Sequence, residues 1–92
     1  MTTDITATLI ERGQRYGSFT GHAQVTQDLK DCIKAHLVAR SKVLAADQQE
    51  SLDMIAHKIG RIINGDPDYA DSWHDIAGYA QLVEDRLNGV ER

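Results

Sequence analysis

Residues 52–64 read Leu-Asp-Met-Ile-Ala-His-Lys-Ile-Gly-Arg-Ile-Ile-Asn. Leu52, Ile55, Ala56, Ile59, Ile62 and Ile63 recur at steps of three and four, the period of one helix face. A strand would alternate at two, so this segment is helical. Upstream, Asp47 with Glu50 three residues later has the spacing of a capping box and predicts a start near residue 48. Downstream, Gly65 followed by Asp66-Pro67 stops the helix at residue 64.

The same periodicity extends outward. Trp73, Ile76, Ala80, Val83 and Leu87 step by 3, 4, 3 and 4, and Ser72 with Asp75 offers a second capping box. This predicts a helix over 72–88 that packs on an antiparallel neighbour. Val25, Leu29, Cys32, Ile33, His36 and Leu37 share a stripe and predict a helix over 23–39. Ile5, Ala7 and Leu9, with Thr3 or Asp4 as cap, predict a short helix over 5–14. Residues 15–22 (RYGSFTGH) read as an ordered loop, and 40–46 as a connector. The expected fold is all-α: one domain over 1–92, a small four-helix bundle or paired helical hairpins.

The chain has 92 residues, one Pro and one Cys. A lone Cys32 excludes an internal disulfide, and its place in the stripe marks it as core. Each helix offers about one apolar face, thin for a free monomer, so a homo-oligomer is expected. Residues 1–46 carry six Lys/Arg and four Asp/Glu, whereas 47–92 carry four and ten. No basic run could neutralise duplex phosphates, which argues against duplex nucleic acid as partner. No apolar run reaches membrane-spanning length. The expected location is the cytoplasm.

Four groups of residues could carry chemistry. Seven carboxylates lie between Asp47 and Asp75; Glu50/Asp53 and Asp71/Asp75 each share a helix face. They read as ligands for a divalent cation or as helix caps, and capping is favoured for Asp47 and Glu50. Asp53, His57 and Arg61 step by four beside the isoleucine stripe, flanked by Lys58 and Gly60. They offer an acid, a proton carrier and a phosphate clamp, or else a solvated charge ladder. Asp68 to Asp75 (DYADSWHD) opens a helix, where phosphate can bind, or where Trp73 anchors the core and the acids cap. Arg15 could hold phosphate and Tyr16 could stack on a base, or Tyr16 and Phe19 could plug the bundle end.

Arg15-Tyr16-Gly17, then LDMIAHKIGRI (52–62) and NGDPDYADSWHDIAGYA (64–80), resemble a family of small phage and prophage proteins of uncharacterised function. More distantly, the layout is similar to the all-α nucleoside triphosphate pyrophosphohydrolases of the MazG type. Those proteins are helical oligomers that hold magnesium with acids from two helices. The resemblance implies a nucleotide or related phosphate ligand in the cytoplasm of a bacterial host. In an enzyme version, Asp53, Asp71 and Asp75 hold Mg²⁺, Lys58 and Arg61 neutralise developing charge, and His57 relays a proton. Arg15, Tyr16 and Trp73 contact the nucleotide. This sequence lacks the double-Glu run of the MazG metal helix. The alternatives are a non-catalytic sponge for a host signalling nucleotide, and a module that binds a host protein through the acidic half.

Overall fold

The structure, a computed structural model, describes residues 4–92; the capping expected of Thr3 lies outside them. Four helices follow one another, with no strand among the described residues: α1 (Ile5–Tyr16), α2 (Phe19–Ala39), α3 (Ala46–Asn64) and α4 (Ala70–Leu87). None is long and apolar enough to cross a membrane.

Helix α3 is central. Its C-terminal half meets the start of α2, and Asp47 at its own start takes a two-pronged bond from Arg86 at the end of α4 (2.8 and 2.7 Å). Both neighbours therefore run antiparallel to α3. Helices α2 and α4 do not touch, so the three form an open layer made of two hairpins that share α3. Close packing runs through small side chains. Ser51, Ala56 and Gly60 on α3, Thr26 on α2 and Ser72 on α4 are buried.

The apolar stripe of α3 is present but thinly covered. Ala56 is the one buried apolar residue among those described; Ile55, Ile59 and Ile62 are half-buried, and Ile63 is 64% exposed. On α4 the expected seam holds at Ile76 and Val83, which Ser72 and Tyr79 join in place of Trp73, Ala80 and Leu87. Ser72, Ile76, Tyr79 and Val83 face inward, while Trp73, Ala80 and Leu87 are exposed. The Trp73 indole N–H donates to the Pro67 carbonyl (2.9 Å), which holds the ring on the outside of the α3–α4 corner. Cys32 is exposed, because only part of the α2 stripe meets α3.

Helix starts also differ from expectation. At α3 the cap is Ala45, whose N–H donates to the Gln48 side chain (2.9 Å), leaving Asp47 free for Arg86. At α4 the cap is Tyr69, so the helix begins two residues early and Ser72 packs inside it. Asp4 caps α1 by accepting from the Thr6 N–H (2.9 Å).

The expected loop over 15–22 shrinks to Gly17 and Ser18. Gly17 (φ 77°, ψ −164°) ends α1, and Ser18 caps α2 at once through the Gly21 N–H (3.1 Å). A helix C-terminus leaves carbonyls without intrahelical donors. Here the α3–α4 corner supplies them. The Asn64 side-chain amide donates to Tyr16 O (2.9 Å) and the Asp66 N–H donates to Arg15 O (2.8 Å); the same amide also donates to Ser18 O (2.8 Å), the α2 cap carbonyl that already accepts from the His22 N–H (3.0 Å). Two corners remote in sequence are thereby clasped together. Replacing Asn64 with Ala is expected to cost about 1–2 kcal/mol, because the Tyr16 carbonyl loses its partner and the Ser18 carbonyl loses one of two. Urea unfolding followed by helical circular dichroism measures it, and an unchanged midpoint would exclude the clasp as a stabilising contact.

Candidate functional site

The clasp fixes the last turn of α1 beside the end of α3. Arg12, Arg15 and Tyr16 are spaced three and four apart and lie near one another on α1. Arg61 reaches them from α3: its guanidinium carbon lies 4.2 Å from the centre of the Tyr16 ring. Tyr69, just before α4, meets Tyr16 edge-on (6.2 Å between centres, 64°), and Arg15 lies 4.2 Å over the Tyr69 ring. The four side chains thus follow in the order Arg61, Tyr16, Tyr69, Arg15, two tyrosines between two arginines. Guanidinium over a ring face is attractive and restrains an otherwise floppy side chain.

A cleft of about 290 Å³ opens here, lined by Thr8, Glu11, Arg12, Arg15, Tyr16 and Arg61. Among the described residues, none of its three arginines forms an ion pair. Arg12, Tyr16 and Arg61 also border a more apolar groove of about 500 Å³, whose other walls include Leu9, Gly13, Phe19, His22 and His57. A cationic half and an apolar half therefore share three residues.

The groove contains a histidine pair. His22 Nε2 lies 3.3 Å from His57 Nδ1, with the rings edge-to-face at 4.5 Å. That contact needs one ring to donate and the other to accept. Burial, and then the nearby Arg61 charge, push His57 down to about 4. His22 is lowered as well, chiefly by burial; the nearby Gly60 backbone pulls it part of the way back. His22 Nδ1 and Thr26 Oγ1 are buried without hydrogen-bond partners. Both crowd Gly60: a side chain there would come within 2.5 Å of Thr26 Oγ1 and 3.0 Å of His22 Nδ1.

The histidines carry a pH prediction. Their folded pKa values lie below the ordinary 6.5, so between pH 6.5 and about 4 the unfolded chain binds more protons. Stability should therefore fall as pH drops through this window, before most carboxylates titrate. Unfolding midpoints at a series of pH values, compared with those of His57→Gln, test it; an equal slope in the variant would remove His57 as the cause.

The carboxylates are dispersed. Asp53 accepts from the Gln49 amide (3.2 Å), Asp71 from the Tyr69 hydroxyl (2.9 Å), and Asp75 pairs with Lys58 (2.8 Å). The Lys58 bond holds Asp75 below the usual carboxylate range, and Asp71 raises Tyr69. Among the described residues, no three His, Cys, Asp or Glu side chains are placed to hold a metal ion. Asp53, Asp71 and Asp75 thus do not form a magnesium cradle within one chain.

The structure gathers Arg15, Tyr16 and Arg61 at the cleft and His57 in the adjoining groove. Lys58 is turned to Asp75, and Trp73 lines neither cavity. Arg12, His22 and Tyr69 join without having been singled out by sequence. Arg12 was within reach of the pattern, one helical turn before Tyr16. His22 and Tyr69 are brought in by tertiary contacts alone.

No curated protein and no solved structure matches the chain. A family model matches residues 3–87, nearly its whole length. The chain belongs to that family, described as Domain of unknown function (DUF6378).

Proposed function

We propose that this protein binds a nucleotide in the cleft at the end of α1. The observation that carries this reading is the convergence of Arg12, Arg15 and Arg61 on one cleft without ion-pair partners among the described residues. Guanidinium groups match phosphate oxygens with paired, charge-assisted hydrogen bonds, and three of them suit a ligand with more than one negative charge. Tyr16, which lines the cleft itself, offers a ring face on which the flat, uncharged part of the same ligand can stack.

The resemblance to small phage proteins and, distantly, to MazG-type enzymes leans toward the same ligand class. The dispersed carboxylates favour binding over magnesium-dependent hydrolysis. The reading is of a cytoplasmic, non-catalytic nucleotide binder. A thermal-shift screen tests it, using nucleoside mono-, di- and triphosphates, cyclic dinucleotides and inorganic phosphate at about 1 mM, with and without Mg²⁺. A rise in melting temperature with a nucleotide, without release of phosphate or pyrophosphate, is the expected result. No shift with any of them rejects the reading, and Mg²⁺-dependent release of pyrophosphate or phosphate restores the enzyme.

A further inference from the structure

Helix α1 is the least supported element of the molecule. It has no buried residue, and Ile5, Leu9 and Ile10 are 65%, 60% and 58% exposed. Its apolar stripe borders the groove, where Phe19 on α2 is 79% exposed. A compact monomer of 10.2 kDa exposes about 5300 Å². This chain exposes 6738 Å², an excess of about 1400 Å². Stable homodimers with interfaces at the large end bury about 1000–2500 Å² per copy, so the excess is of the right size for one such contact.

The pattern on α1 suits a copy of itself. Ile5 and Gly13 lie four residues to either side of Leu9. A twofold axis at Leu9 with the two α1 helices antiparallel sets the partner's Ile5 over Gly13, and the reverse. A side chain at Gly13 would meet nothing within 4 Å, so the hole for that knob is open.

We propose that the chain is a homodimer in which each copy lays the Ile5–Leu9 face of α1 into the other's groove, beside Phe19. Leu9 packs near Leu9 at the axis, and the open three-helix layers are joined through their N-terminal helices. Since Arg12, Tyr16 and Arg61 border both groove and cleft, the second copy also walls the apolar side of the cation cleft.

Sedimentation equilibrium of the full chain without ligand tests this, so its outcome is independent of nucleotide binding. The expected mass is twice 10.2 kDa. Leu9→Asp is expected to sediment as a monomer. Val43→Asp, on the α2–α3 connector at 94% exposure, should stay dimeric. If Leu9→Asp fails to fold, a second variant still decides: Leu9→Cys in a Cys32→Ser background should form a covalent dimer on mild oxidation. A wild type of 10.2 kDa, a Leu9→Asp protein that keeps the doubled mass, a Val43→Asp protein that dissociates, or a Leu9→Cys protein that does not cross-link would each overturn the proposal.

Discussion

Gly17→Ala is expected to destabilise the protein by about 3 kcal/mol, a large share of the roughly 5–10 kcal/mol that holds a chain of this length folded. Two effects act together. The backbone at Gly17 (φ 77°, ψ −164°) is a conformation that residues with a side chain rarely adopt, at a cost of about 1–3 kcal/mol. A Cβ there would also overlap the Asn64 carbonyl oxygen, a backbone atom that cannot rotate away. Gly65→Ala meets the second effect alone, since its Cβ would overlap the backbone of Arg15 and Tyr16. Gly78→Ala is the control. It sits within α4 with nothing within 4 Å, and helix propensity alone should stabilise it by up to about 1 kcal/mol. Urea unfolding of the three variants should rank them Gly17→Ala, Gly65→Ala, then Gly78→Ala from least to most stable. A Gly17→Ala midpoint within error of wild type would mean that the corner can open without loss.

Arg61→Ala is expected to weaken nucleotide binding about 10- to 100-fold, the loss of one charge-assisted contact of about 1.5–3 kcal/mol. The effect on folding should stay near 0.5–1 kcal/mol, because the Tyr16–Arg61 stack is partly exposed. Arg61→Lys keeps the charge but loses the planar fork and the stacking face, so it should fall between the two. Titration calorimetry with the nucleotide giving the largest thermal shift provides the three constants. Equal affinities in wild type and Arg61→Ala would move the ligand away from this cleft.

Helix number and order were legible because apolar residues recur at helical spacing even where their burial is incomplete. The α1–α2 corner was harder to read. Two glycines and two aromatics in RYGSFTGH suggested a longer loop, but only Gly17 turns the chain. Gly21 lies within α2, and its missing Cβ makes room for the Asn64 side chain, a reason that lies 43 residues away. Trp73 was placed inward by its size and spacing, yet the Pro67 carbonyl holds its indole outside. At the site, Arg15, Tyr16 and Arg61 were identifiable by their chemistry. The acids were grouped by spacing along a helix, which reports a shared face and not what stands opposite. Opposite Asp75 stands Lys58.

The clasp between the corners also sets a timetable. Helix α1 leaves the ribosome ahead of α3, and the carbonyl of Tyr16 waits for Asn64, 48 residues later. At about 5–20 residues per second that delay is roughly 2–10 s. A twelve-residue helix is marginal in water on its own. Helix α1 is therefore made before α3 yet is among the last elements to gain its supports, and its apolar stripe stays uncovered until the α3–α4 corner arrives.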